Sequence, residues 1–235
     1  DRIIGDTSHP APKAELSLEY MTLSEFERAN MPRFYETGVF NYPIGQDMGP
    51  RIGRSLNLIA FIPFGMFLPL VPAHNVYVLF LLAAAGVAVY LLARSLSIRP
   101  PMALVSGLFF LFNAYVALKL DMGFVQKSFY VWLPLIFLFL FRTVRRRKPT
   151  DAVLAGVMLF LMYITYAIYA AWSLMFVGLL MGYTLLFRRD LRAFALLVLS
   201  VVVMGALSMG VDLIYAQPSG YLLAESNQRP YQVVS

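Results

Sequence analysis

Few side chains in this sequence are equipped for chemistry, and they sit in short polar stretches. Near the start, Gly5-Asp6-Thr7-Ser8-His9 sets a carboxylate and an imidazole three residues apart. That pairing suits Asp6 as a general base toward a hydroxyl, or Asp6 and His9 as joint ligands of a divalent cation. It suits equally a solvated turn in which Asp6 caps the following segment. A second stretch, Asn41-Tyr42-Pro43-Ile44-Gly45-Gln46-Asp47, joins turn-forming Pro and Gly to Asn, Gln and Asp, which are hydrogen-bond partners for sugar hydroxyls. A tight turn entering an apolar helix accounts for the same residues. Lys119, Asp121 and Lys127 flank a turn between two apolar runs, where ammonium groups reach the phosphate of a lipid-linked ligand or snorkel for solubility alone. Asp212 lies near the end of the last apolar run, and Glu225, Gln228 and Arg229 follow. A guanidinium such as that of Arg229 clamps phosphate in a bidentate fork.

These groups are carried by an unusual chain. Of 235 residues, 60% are hydrophobic and only 14% charged, and the mean hydropathy is +0.69. Soluble chains run at about 45–50% apolar and about 25% charged, so an ordinary soluble domain is excluded and an integral membrane protein is indicated. Cysteine is absent, which removes disulfides, thiolate metal sites and cysteine nucleophiles. No Walker A loop, GxGxxG or HExxH motif occurs, and there are two histidines, His9 and His74. The net charge of +6 comes largely from short turns between apolar runs. This is the signature of membrane topology and argues against a nucleic-acid partner. Gly178 and Gly182 match a small-xxx-small packing pattern that is common by chance in apolar helices.

Positioning falls to a series of apolar runs. No Asp, Glu, Lys or Arg separates Arg54 from Arg94, and charge-free runs follow at 100 to 118, 128 to 141, 152 to 187 and 193 to 211. About 20 helical residues cross the hydrocarbon core, so the 36-residue run at 152 to 187 reads as a hairpin of two short crossings. Three basic turns lie at Arg94 to Arg99, Arg142 to Lys148 and Arg188 to Arg192, and the positive-inside rule puts them in the cytoplasm. Parity between the last two splits the hairpin again and places Tyr163, Tyr166, Tyr169 and Trp172 near the outer interface. The expected architecture is an all-α polytopic bundle in the plasma membrane, with about six spans near 75 to 93, 101 to 119, 126 to 141, 152 to 165, 168 to 187 and 193 to 214.

Residues 71 to 214 are the transmembrane module, residues 1 to 55 form an extracytoplasmic first loop, and 215 to 235 begin another. The first loop holds eight of the thirteen acidic residues. Its segment Ser17 to Asn30 is patterned as a short helix on the bilayer surface, with Leu18, Met21, Leu23 and Phe26 among charges. Residues 56 to 70 are apolar but interrupted by Pro63 and Pro69, and read as an outer half-helix or re-entrant element, with a complete short span as the alternative. The sequence opens without a methionine or signal segment and closes in a polar stretch, as a piece of a longer protein does.

In their order, five passages resemble the GT-C superfamily of membrane glycosyltransferases, in particular YfhO-type and related members. They are Gly5-Asp6, Asn41-Tyr42-Pro43-Ile44-Gly45, Leu91-Leu92-Ala93-Arg94, Val131-Trp132-Leu133-Pro134-Leu135, and Ala216-Gln217-Pro218 through Asn227-Gln228-Arg229. The resemblance implies a seven-span module whose first helix, here missing, delivers a catalytic acid into the first outer loop. It makes Asp6 the candidate base that deprotonates an acceptor hydroxyl while a sugar leaves its polyprenyl phosphate at the extracytoplasmic face. His9, Asn41, Tyr42, Asp47, Lys119, Asp121, Lys127, Gln228 and Arg229 become the candidate substrate-binding residues, with Lys119, Lys127 and Arg229 facing the departing phosphate. Some relatives use a divalent metal, magnesium or manganese, for which Asp6, His9 and Asp47 are the nearest equivalents, although no DxD pair occurs. The paired acidic motif of protein mannosyltransferases and the WWDYG-type motif of oligosaccharyltransferases are also absent. The implied partners are a lipid-linked sugar donor, a glycan, lipid or protein acceptor, and membrane lipids. The alternatives are a transporter or flippase of lipid-linked sugars and a noncatalytic membrane scaffold.

Overall fold

Proline entries and left-handed exits cut the apolar sequence into rods. Pro100 and Pro149 occupy the first turns of their helices, where a missing backbone N–H costs nothing. Ser97, Arg147 and Arg189 carry positive φ in the turns between helices. The computed structural model describes residues 19, 20, 23, 36–37, 46–47, 55–121 and 131–215. Over these it is all-helical apart from an antiparallel ladder of two short strands, β1 (Glu36–Thr37) and β2 (Gln46–Asp47), in which Glu36 pairs with Asp47.

The helices are α1 (Ser55–Phe67), α2 (Leu70–Ser95), α3 (Pro100–Leu111), α4 (Ala114–Asp121), α5 (Trp132–Arg146), α6 (Pro149–Thr165), α7 (Ala167–Gly182, extended by a π-helical turn Tyr183–Phe187) and α8 (Leu191–Tyr215). Contrary to expectation, α1 runs through Pro63 and the chain breaks only around Leu68 and Pro69. As the ninth of thirteen residues, Pro63 removes the helical bond to the Ile59 carbonyl, yet the helix continues past it. From there α1 folds onto α2, with Phe61 edge-on to Tyr77 at 5.8 Å and Phe64 tilted against Phe80 at 5.5 Å.

A continuous helix expected over 101 to 119 is instead two. Asn113 ends α3 by donating from Nδ2 to the Phe110 carbonyl, and its Oδ1 accepts the Val116 N–H at 2.9 Å, capping α4. The long run at 152 to 187 is broken at Tyr166, whose extended backbone (φ −159°, ψ 98°) separates α6 from α7.

Among the described residues, three helices are long and apolar enough to cross a membrane: Leu70–Ser95, Ala167–Phe187 and Leu191–Val211. Pro100–Val116 and Pro149–Thr165 are apolar but shorter. At 15 residues, α5 is shorter still, and its last turn carries Arg145 and Arg146. It runs through the middle of the bundle against α2, α6 and α8. There Ile136 and Leu140, fully buried, join Leu159, Met162, Val177 and Leu197 in the main core. Close approach of α6 to α8 depends on Gly156, where a Cβ would stand 2.5 Å from the Ser200 carbonyl oxygen. Outside, the surface is inverted relative to a soluble protein. Phe67, Phe109, Phe112 and Phe187 are each more than three-quarters exposed, a surface fit for lipid and hazardous in water. The chain is a membrane protein built of apolar helices.

Candidate functional site

The bundle has two chemically distinct ends, set by helix direction. From Leu70, α2 runs to Ser95, and its last turn meets that of α5 where Arg145 Nη1 donates to the Ser95 carbonyl at 3.3 Å. The turn after α5 in turn meets the turn before α8 through Arg147 and Asp190, 2.6 Å apart at their closest. All three basic turns therefore gather at one end. His74 lies twenty residues before Arg94 on the same helix, about 30 Å away at helical rise.

At that far end the N-terminal segment contributes a side chain to the bundle. Glu19 is buried, and its carboxylate straddles His74 Nδ1, with Oε2 at 2.8 Å and Oε1 at 3.0 Å. Nearby, Leu23 packs on α1 at Gly65, within 3.1 Å of where a Cβ would stand. The expected surface helix over Ser17 to Asn30 does include helical Glu19, Tyr20 and Leu23. Glu19, however, turns inward to an imidazole instead of outward to water. Its pKa is raised, because burial penalises the charged carboxylate more than the hydrogen bond and charge of His74 favour it. The ring's other nitrogen, Nε2, is buried and finds no hydrogen-bond partner among the described residues.

The 2.8 Å contact engages Nδ1 of His74 with the Glu19 carboxylate and leaves Nε2 as the ring's other polar atom. The pair can therefore orient an imidazole and hold a proton, the two functions that a general acid–base couple requires. On the same helix as His74, Ala73 and Tyr77 join Phe61 of α1 in a buried apolar cluster.

Aromatic residues complete this end. The Tyr115 and Tyr169 hydroxyls lie 3.2 Å apart. Trp132 Nε1 donates to Thr165 Oγ1 at 3.1 Å, which donates in turn to the Leu161 carbonyl. Tyr166 and Tyr169 pack ring against ring at 5.0 Å, and Trp172 is exposed. A pocket of about 350 Å³ opens between Leu133, Phe137, Tyr169, Trp172 and Ser173.

Of the residues expected from sequence to form a site, Asp6, His9, Asn41, Tyr42, Lys127, Gln228 and Arg229 lie outside the described residues. Asp47 lies on β2, and Lys119 and Asp121 on the last turn of α4. Among the described residues, no three His, Asp or Glu side chains gather as a metal site. Glu19 and His74 were missed because 55 residues separate them. The available signal was His74 itself, an imidazole inside a charge-free apolar run with a carboxylate-bearing amphipathic segment upstream. No family model matches this chain, and no curated protein or solved structure matches it either.

Proposed function

We propose that the protein is a polytopic membrane glycosyltransferase that moves a sugar from a polyprenyl-phosphate donor to an acceptor hydroxyl at the extracytoplasmic face. Six crossings are assigned to α2, α3 with α4, α5, α6, α7 with its π turn, and α8. The basic turns face the cytoplasm, as the positive-inside rule requires. The opposite, outer end then holds the polar chemistry.

The observation that carries this reading is the Glu19–His74 pair. It sets a buried carboxylate–imidazole couple from the N-terminal segment at the end of the bundle opposite the arginine-rich turns, about 30 Å from the nearest of them, which this reading takes as the outer end. Asp6 belongs to the same segment and is the base in this scheme. As the acceptor oxygen attacks the anomeric carbon, its proton passes to the Asp6 carboxylate, and the sugar–phosphate bond breaks with its electrons on the departing polyprenyl phosphate. Lys119, Lys127 and Arg229 are the cations assigned to that leaving charge. The aromatic rings around Trp172 and Tyr169 suit the interfacial depth at which such a donor would lie.

The test is transfer of labelled sugar from a polyprenyl-phosphate donor by membranes containing the protein. Asp6→Asn abolishes transfer while expression and insertion stay intact. Transfer by Asp6→Asn at the unaltered rate removes Asp6 from the mechanism. Movement of labelled lipid-linked sugar across proteoliposomes without any transfer replaces the enzyme by a flippase.

A further inference from the structure

The end of the bundle that gathers the basic turns carries an open cavity of about 820 Å³, a size typical of small-molecule sites. Arg94, Arg142, Arg145, Arg146 and Arg188 line it, and no carboxylate does. Asp190, the acidic group nearest in sequence, is ion-paired with Arg147, which lies outside the lining, and of the five it is only Arg188 whose charge acts on it. Arg94 and Arg145 each give one donor to a backbone carbonyl, of Ile98 and Ser95 respectively. Arg142 Nε is buried with no hydrogen-bond partner among the described residues. Five guanidinium groups around one space repel one another, and an anion between them relieves that repulsion.

Below the arginines the walls turn apolar. Leu91 is three residues deeper than Arg94 on α2, Phe141 lies one residue before Arg142 on α5, and Leu180 precedes Arg188 by eight residues, about 12 Å at helical rise. A cationic mouth over a hydrocarbon-lined shaft has the shape of an amphiphile: phosphate above, acyl chain below. A free phosphate would leave the shaft empty of apolar partners.

We propose that this cavity binds an anionic phospholipid of the adjoining leaflet, its phosphate among Arg142, Arg145 and Arg188 and an acyl chain along Leu91, Phe141 and Leu180. Arginine forks match phosphate oxygens in a bidentate fashion, and basic pockets between membrane helices suit such headgroups. The inference needs the bundle to lie in a membrane but is independent of sugar transfer, so each reading can fail while the other stands.

The experiment titrates the purified full chain, in neutral detergent, with phosphatidylglycerol, phosphatidylcholine and inorganic phosphate, and counts bound lipid by native mass spectrometry. Phosphatidylglycerol binds at least about tenfold more tightly than phosphatidylcholine, and Arg142→Gln with Arg188→Gln weakens it by about tenfold or more. Arg189→Gln with Arg192→Gln removes the same charge outside the lining and changes binding less than about twofold. Leu91→Trp fills the shaft with every charge kept, and it also weakens phosphatidylglycerol about tenfold. This variant decides the matter if the double arginine variant does not insert. Equal loss in the two double variants, no preference over phosphatidylcholine, or inorganic phosphate binding as tightly as the lipid overturns the proposal.

Discussion

Arg147, left-handed at the end of α5, donates from Nε and Nη2 to a single oxygen of Asp190, at 3.0 and 2.6 Å, while the other oxygen of Asp190 accepts the Ala193 N–H at 3.1 Å. One carboxylate thus caps α8 and ties its entry to the exit of α5, 43 residues earlier. The Ala193 amide, helped by Arg147 and then Arg188, holds the Asp190 carboxyl below its ordinary value of 3.8.

From this arrangement, Asp190→Ala lowers the thermal midpoint in detergent more than Asp190→Asn, which keeps the capping oxygen. Because the folded pKa is depressed, the stabilisation from Asp190 is present above 3.8 and is lost as pH falls through the lower folded value. A comparison of thermal midpoints at pH 7 and pH 3 checks the sign: wild type loses more on acidification than Asp190→Asn.

Glu19 has the opposite linkage. Its folded pKa lies above the ordinary 4.5, so its contribution is full below 4.5 and is lost as pH rises through the raised folded value. Glu19→Gln keeps a hydrogen-bond partner for His74 without a buried charge, so its thermal midpoint declines less than that of wild type between pH 4.5 and 7.5. Glu19→Ala leaves both ring nitrogens of buried His74 unpaired and costs on the order of 1–3 kcal/mol. Equal pH slopes for wild type and Glu19→Gln would show that the pair is not formed in the membrane protein.

Two glycine substitutions have contrasting outcomes. At Gly156 a Cβ would meet the Ser200 carbonyl oxygen at 2.5 Å and Val203 Cβ at 2.7 Å, so Gly156→Ala must push α6 from α8. The expected loss is about 1–3 kcal/mol. At Gly178 nothing lies within 4 Å, and Gly178→Ala leaves the thermal midpoint unchanged or slightly raised.

Because the chain has no cysteine, single cysteines report topology directly. Ser97→Cys, Lys148→Cys and Arg189→Cys react with an impermeant maleimide only from the cytoplasmic side, whereas Ser8→Cys, Gly123→Cys and Ser219→Cys react from outside. Labelling of Ser8→Cys and Lys148→Cys from one side would undo the proposed arrangement of the chemistry.

Much of the fold is legible in local features. The apolar runs mark α2, α7 and α8 because each satisfies its backbone internally and can meet lipid on any face. The break at Tyr166 follows from length, since a single rod over 152 to 187 would be about 54 Å long. The break at Asn113 is also local, an Asx cap hidden in an apolar run that reads as continuous. Pro63 misleads because a proline removes one helical hydrogen bond without having to end the helix. Glycines mislead for a related reason. Gly178 and Gly182 have the packing spacing yet face open space, while Gly156, four residues after Ala152, lies against a neighbouring helix.

Composition and charge pattern by themselves determined that this is a membrane chain of apolar helices with three arginine-rich turns, because burial in lipid and the placement of positive charge act on each segment separately. Tertiary structure alone decided that the turns close around one cavity, that Asp190 serves two helices, and that Glu19 reaches His74. Those contacts join residues tens of positions apart, and their energies depend on distances of about 3 Å that exist only once the helices have packed.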